Sequence, residues 1–121
     1  MIPQKLYIPT STLNFNNLMS SESISPANFY LRRGFGYKRF EKVAPNSLDN
    51  RIILYRDFPV FDIKDKELEN YPMVIEIDSR YVNDDLIKES NGVYFSEETL
   101  YFNPFTTKFI FRNEEERIST T

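Results

Sequence analysis

The chain has no cysteine and no histidine, and these two absences exclude much of the chemistry that proteins use. Without them it can build no Cys/His zinc site, no cysteine nucleophile and no Ser-His triad. Acid–base work would fall to Asp, Glu, Lys or Tyr, and a metal would need oxygen ligands, as Mg²⁺ and Ca²⁺ do. No disulfide stabilises the fold, so its stability has to come from packing. We expect a cytoplasmic protein with no cofactor.

Long apolar runs are also lacking. No segment approaches the roughly 20 apolar residues of a membrane span, and the stretch from Met1 to Lys5 lacks the layout of a signal peptide. The chain does contain 11 Phe and 8 Tyr, which is more aromatic surface than a disordered segment carries. At 121 residues, the composition predicts a single domain over 1–121 that makes no membrane contact.

The stretch from Tyr71 to Asp78 is the best candidate for a central strand. Its apolar residues Met73, Ile75 and Ile77 alternate with Val74, Glu76 and Asp78. A period of two sends successive side chains to opposite faces of a sheet, so one face would be wholly apolar. Pro72 suits the first position of such a strand, where a missing N–H costs least.

The rest of the chain predicts an α+β domain, with a mostly antiparallel sheet of about five strands and two or three short helices packed on one face. The predicted strands are 5–8, 51–55, 71–78, 93–95, 99–103 and 108–112. Pro9 should stop the first strand. The short gaps between the last three favour antiparallel neighbours, because parallel strands need a long crossover.

Short helices are predicted after the hydroxyl residues 10–12, after Ser25-Pro26, and over 81–89. Asn91-Gly92 is a turn signal. The most probable core positions in the last strands are aromatic, namely Phe102, Phe109 and Phe111. The surplus aromatics Tyr101 and Phe105 could form an exposed patch for a partner.

A basic, aromatic loop follows the second predicted helix. Residues 29–42 contain five basic side chains and one acidic one, interleaved with five aromatic rings. Cations bind phosphates and aromatic faces stack on bases, so this loop has the chemistry of an RNA, single-stranded DNA or nucleotide site. Two glycines would allow close backbone approach to a phosphate. The candidate nucleic-acid or phosphate-binding residues are Arg32, Arg33, Gly34, Gly36, Tyr37, Lys38 and Arg39. Alternatively, the rings pack in the core and the arginines stay in water.

Glu76 and Asp78 form a second constellation. Two residues apart on a strand, they lie about 7 Å apart on one face. They could hold a hard divalent cation or act as an acid–base pair, or they could simply line the solvent-facing side of a half-covered sheet. A nuclease of the Asp…Glu-x-Lys type requires a lysine where Asp78 stands, so that motif is not matched.

The opening segment, from Leu6-Tyr-Ile-Pro-Thr-Ser-Thr to Ile24-Ser-Pro26, resembles in layout the start of ADP-ribosyltransferase-like domains of the DarT type. The resemblance covers about the first 30 residues. It implies Tyr7, Thr10 and Ser11 near a nicotinamide dinucleotide, Arg32 or Arg33 near phosphate, and a later catalytic Glu. The chain departs from that family in lacking histidine and in its length, and Glu76, Glu97 and Glu98 compete for the catalytic role.

The last residues predict the start of a helix, because Asn113 is a good N-cap and three glutamates follow it. We therefore expect the N-terminal domain of a longer protein, a tail that docks on a partner, or a frayed end. Taken together, the sequence favours a non-catalytic module that contacts nucleic acid, a nucleotide or a protein partner through the basic loop. The alternatives are an NAD-using transferase, or a metal-dependent enzyme that uses Glu76 and Asp78.

Overall fold

The computed structural model describes residues 2–26, 51–59 and 71–120, which form mostly antiparallel sheets with few helices. Two helices are present in these ranges, α1 (Phe15–Ser21) and α2 (Glu114–Thr120). The strands are β1 (Lys5–Ser11), β2 (Ser23–Ile24), β3 (Ile52–Leu54), β4 (Pro72–Asp78), β5 (Lys88–Ser90), β6 (Val93–Ser96), β7 (Leu100–Tyr101) and β8 (Lys108–Phe111). The class is broadly α+β or mainly β.

Strand β4 is central, as its alternating pattern predicts. It pairs antiparallel with β1 on one side and with β8 on the other, in the order β1-β4-β8. Its residues Met73, Ile75 and Ile77 are buried on one face, where β1 contributes Leu6 and Ile8. Because this face is continuous across the strands, it forms one wall of the core.

Pro9 does not stop β1, contrary to the sequence expectation. The strand continues through Pro9, which lies opposite Val74, and ends at Ser11. Tyr7 exchanges both backbone hydrogen bonds with Tyr55, at 2.8 and 2.7 Å, on the side of β1 that faces away from β4. Two residues further on, the backbone nitrogen of Pro9 also points away from β4, so its missing N–H removes no bond to β4.

The other strands form two further sheets, β3-β6-β5 and β2-β7. A single sheet of about five strands with helices on one face is therefore not confirmed. The expectation that the last three strands are neighbours is wrong, because β6 pairs with β3 and β5, β7 with β2, and β8 with β4. Short connections leave a chain free to turn toward a different sheet when each strand has apolar surface to bury elsewhere.

The predicted helix over 81–89 is also wrong. This segment contains two 3-10 turns, Ser79–Tyr81 and Asp84–Leu86, and then strand β5. Asn91 and Gly92, with φ of 53° and 80°, form the two-residue loop of a hairpin between β5 and β6. This loop requires positive φ at both positions, which Asn-Gly readily adopts, and the hairpin overrides the weak helical pattern that precedes it.

The core lies between the apolar face of β4 and the remaining elements. The helix predicted after residues 10–12 is present as the 3-10 turn Thr12–Asn14 followed by α1, which buries Leu18. The Phe15 ring meets the rings of Phe109 and Phe111, at 5.5 and 5.7 Å between centroids. Of the three predicted core aromatics, Phe102 is buried and these two are partly buried against the core. The helix predicted after Ser25-Pro26 lies outside the described residues.

Helix α2 confirms the helix start predicted at Asn113. The Asn113 side-chain oxygen accepts a hydrogen bond from the Glu116 backbone N–H at 3.0 Å, as an N-cap does. The Glu116 carboxylate is buried and accepts hydrogen bonds from the Arg112 guanidinium at the end of β8. This ion pair attaches the helix to the sheet.

Candidate functional site

The face of the β1-β4-β8 sheet opposite the core, here called the outer face, carries a charged cluster at one end. It consists of Lys5 and Tyr7 from β1, Glu76 and Asp78 from β4, and Lys108 from β8. The register creates it, because Glu76 lies opposite both Tyr7 and Lys108, and Asp78 lies opposite Lys5. At the other end of this face Val74 and Pro9 are buried.

Glu76 is the centre of the cluster. Its carboxylate accepts a hydrogen bond from the Tyr7 hydroxyl at 3.1 Å. The Lys5 Nζ lies 3.6 Å from one carboxylate oxygen and the Lys108 Nζ lies 3.7 Å from the other. One carboxylate therefore lies close to two ammonium groups, and the three side chains together have a net positive charge.

Asp78 binds Arg80 immediately after β4. Its oxygens accept hydrogen bonds from Arg80 Nε at 3.0 Å, Nη2 at 2.7 Å and the backbone N–H at 3.0 Å. The Arg80 side-chain hydrogen bond is the main cause that lowers the pKa of Asp78 well below its usual range. The same pair raises the pKa of Arg80, so both groups carry charge at neutral pH.

The cations of this cluster, together with Arg80, are exposed and the carboxylates are recessed. The side chains of Lys5, Arg80 and Lys108 are 51%, 61% and 70% exposed, whereas those of Glu76 and Asp78 are 13% and 14% exposed. An approaching ligand therefore meets three cations before it meets the two carboxylates beneath them. This end of the outer face is locally cationic although the whole chain has a net charge of −3.

An aromatic pair borders the cations. The rings of Tyr7 and Phe58 meet edge to face, with centroids 5.4 Å apart, and Phe58 is partly exposed. Burial, followed by the hydrogen bond to Glu76, raises the pKa of the Tyr7 phenol. The phenol is therefore protonated at neutral pH and acts as a hydrogen-bond donor.

A second aromatic feature lies in the connection from β7 to β8. Tyr101 is 70% exposed and Phe105 is 95% exposed. Both side chains are exposed, as the sequence expectation requires, but no contact joins the two rings in the described residues, and a patch for a partner stays a prediction. Lys108 follows Phe105 by three residues, so this connection leads directly onto the outer face.

The predicted basic-loop site, formed by Arg32, Arg33, Gly34, Gly36, Tyr37, Lys38 and Arg39, lies outside the described residues. It stays a prediction. The described part of the chain has exposed cations of its own at one end of the outer face.

The geometry of the other predicted residues gives little support to the enzyme hypotheses. Glu76 and Asp78 do share a face, but each binds cationic side chains, and the described residues contain no group of three or more Asp or Glu placed to hold a metal ion. Tyr7 and Thr10 lie on opposite faces of β1, and Thr10 is buried, where its hydroxyl accepts a hydrogen bond from Asn14 at 2.8 Å. The structure therefore does not bring these two together around one dinucleotide.

The glutamates that compete for the catalytic role in the transferase hypothesis are also far from equivalent. Glu76 is the recessed centre of the cluster, whereas Glu97 forms an exposed ion pair with Lys88 at 3.3 Å. Neither arrangement identifies a catalytic acid, and the transferase hypothesis stays a prediction.

Sequence reasoning missed Lys5 and Lys108 as members of one site. They lie near opposite ends of the chain and become neighbours only through the register of β1 and β8 on β4. The available signal was the alternation of Lys5 and Tyr7 with the apolar Leu6 and Ile8, which places both polar residues on the face away from the core.

Comparison of the chain with protein-family models, curated proteins and solved structures finds no match in any of the three. Within the described ranges, no helix has the length and apolar character needed to cross a membrane.

Proposed function

We propose that this chain is a non-catalytic binding module that contacts single-stranded nucleic acid through the cationic end of the outer face together with the basic loop. The observation that carries the proposal is the arrangement of Lys5, Arg80 and Lys108, exposed above the recessed Glu76 and Asp78. Cations arranged beside aromatic rings are the usual means of binding a single strand without sequence preference.

The carboxylates support this function by positioning the cations. A lysine in free solution samples many rotamers, whereas Lys5 and Lys108 are both oriented toward one Glu76 carboxylate. Each ammonium group has three N–H donors and uses only part of them on Glu76, which leaves donors for phosphate oxygens. The site thus presents paired cations at a fixed place on the sheet.

The basic loop is the second set of residues in the proposal. Its Arg32, Arg33, Lys38 and Arg39 add cations, and its aromatic rings add stacking surface. We place this activity in the cytoplasm, because a chain without cysteine gains nothing from an oxidising compartment. A single module spanning the whole chain, in which loop and sheet act together, is part of the proposal.

Fluorescence anisotropy with labelled oligo-U and oligo-dT, measured over a series of salt concentrations, tests the proposal. Wild-type protein should bind both, with affinity that falls as salt rises. The variant Lys5→Gln/Lys108→Gln should bind about tenfold more weakly and lower the salt slope by about 1.4, the value for two lost phosphate contacts on a single strand. Arg32→Ala/Arg39→Ala should have a comparable effect.

Lys88→Gln is the matched control, because Lys88 is an exposed lysine on a different sheet, β3-β6-β5, where it pairs with Glu97. It should leave the affinity nearly unchanged. Absence of oligonucleotide binding at low salt would contradict the proposal, as would equal losses in the control and in the double variants. Binding of NAD⁺ or ATP without oligonucleotide binding would replace it with a nucleotide site.

A further inference from the structure

The ring of Phe105 is the most exposed of the large apolar side chains in the described residues, at 95%. A phenylalanine in this position contributes almost nothing to folding, because its apolar area stays in water. Both faces of the ring are accessible. Isolated exposed apolar residues are common, so exposure alone assigns no role to Phe105.

The turn that carries Phe105 is held firmly, which distinguishes it from an ordinary exposed loop. The Asn103 side-chain oxygen accepts a hydrogen bond from the Phe105 backbone N–H at 2.8 Å, and the Asn103 carbonyl accepts one from the Thr106 N–H at 3.0 Å. Pro104 fixes φ between them. Because Phe102 and Thr107 on either side are buried, the turn is anchored at both ends.

The position of the turn connects Phe105 to the cationic cluster. Phe105 precedes Lys108 by three residues, so their Cα atoms are at most about 10 Å apart. Lys108 is one of the exposed cations paired with Glu76. An exposed ring near an exposed cation matches a nucleotide better than it matches an apolar protein pocket, because the charge near the ring is complementary to phosphate.

We propose that Phe105 stacks on an unpaired base of the nucleic-acid strand whose phosphates contact Lys5 and Lys108. This inference rests on the proposed function and adds a base-contacting residue to it. The hydrogen-bonded turn fixes the backbone at Phe105 before binding, so mainly the rotamer freedom of the side chain is lost when a base stacks on it. Since every base has a π-face, the contact favours single strands over duplexes without selecting a sequence.

Phe105→Ala tests this in the anisotropy assay. The affinity for oligo-U should fall about tenfold, within the range for loss of one base–aromatic stack, while the salt slope stays unchanged because no charge is removed. Ile118→Ala, which truncates an exposed apolar side chain on α2, should leave the affinity unchanged. An unchanged thermal midpoint in both variants would confirm that folding is unaffected.

Tryptophan fluorescence can detect the stacking directly, because the chain contains no tryptophan of its own. In Phe105→Trp the new indole is the sole tryptophan, and oligo-U should quench its fluorescence while an abasic oligonucleotide of equal length should bind without quenching. The indole of Ile118→Trp should be quenched by neither. Full affinity in Phe105→Ala, or no quenching in Phe105→Trp, would overturn the inference.

These outcomes separate the two proposals. If wild-type protein binds oligonucleotides in a lysine-dependent way and Phe105→Ala is unaffected, only the stacking role is wrong. If wild-type protein binds no oligonucleotide, the proposed function itself fails. A Phe105→Ala variant that loses a protein partner but keeps oligonucleotide binding would assign the turn to protein docking instead.

Discussion

At the scale of single residues, Asp78 illustrates how one carboxylate can serve several bonds. It binds the Arg80 guanidinium through two nitrogens and also accepts the Arg80 backbone N–H, which caps the 3-10 turn that follows β4. The same carboxylate thus ends the central strand and orients one of the exposed cations. Only the second role requires its negative charge, because a neutral asparagine side chain can also cap a helical turn.

The pH dependence of stability should report on this residue. Because the pKa of Asp78 is lowered in the folded state, its ion pair contributes stability that is present above the unfolded pKa of about 4 and declines as the pH falls below it. Asp78→Asn should remove this component, so the difference in unfolding free energy between wild type and variant should shrink as the pH is lowered from 6 to about 2. Urea unfolding at a series of pH values measures it.

Arg80→Gln is the reciprocal variant for that experiment, because it removes the donor and leaves the carboxylate. It should flatten the acid dependence in part, because the backbone N–H of residue 80 and the Gln4 side chain still bind the carboxylate. A variant Asp78→Asn whose acid dependence matches that of the wild type would show that the pair adds no stability.

At the scale of elements, the end of β8 and helix α2 depend on one buried ion pair. Glu116 is 5% exposed and binds Arg112 through its carboxylate, and Asn113 both caps the helix and donates to the same carboxylate at 3.3 Å. Arg112 Nη1 is buried without a hydrogen-bond partner in the described part of the chain. The remaining bonds of this guanidinium are therefore costly to lose.

Glu116→Ala should lower the free energy of unfolding by about 2 kcal/mol. This is less than the usual loss for one half of a fully buried pair, because the Arg112 side chain retains some contact with water. Glu115→Ala changes an exposed neighbour in the same helical turn and should fall within about 0.5 kcal/mol of wild type. Thermal and urea unfolding compare the two, and equal effects would contradict the structural role of Glu116.

The sequence predicts some elements of this fold correctly but not how the strands pair. The alternating residues of β4 and the cap of α2 are local signals, and both predictions are confirmed. The pairing partners of β6, β7 and β8 depend on apolar surfaces far away in the chain, which gap lengths do not encode. The segment before Asn91 has only a weak helical pattern of its own. Its last residues become a strand because they pair with residues that follow the turn.

At the scale of the whole molecule, an acidic chain carries a locally cationic surface. The individual residues of that surface were visible in the sequence, but their assembly was not, because it requires the register of three strands. The pair Glu76 and Asp78 was predicted correctly to share a face, yet the structure assigns both residues to ion pairs. The basic loop, which the sequence marks most clearly, lies outside the described residues.

Removing a negative charge from the outer face should change the affinity for oligonucleotides in the opposite direction to removing the lysines. Glu76→Gln keeps an acceptor for the Tyr7 hydroxyl but removes the negative charge beneath Lys5 and Lys108. Glu76 repels phosphate but also orients Lys5 and Lys108, so the affinity for oligo-U should rise by less than the fivefold that a charge interaction of about 1 kcal/mol would give. Anisotropy at low salt measures the change.

Glu97→Gln is the matched control, because Glu97 pairs with a lysine of the β3-β6-β5 sheet. It changes the net charge of the chain by the same amount but leaves the outer face intact. An equal gain in affinity from both variants would mean that the total charge, and not the local arrangement, governs binding.

Pro9 has a consequence for how this molecule behaves at high concentration. Beyond the bonds between Tyr7 and Tyr55, Pro9 offers no N–H donor on the side of β1 that faces away from β4, where another extended segment would need one to continue a ladder. Unprotected strand edges are where proteins join into fibrils or exchange segments between copies. A proline within the first strand thus keeps that edge from serving as a template for self-association, at no cost to the bonds with β4.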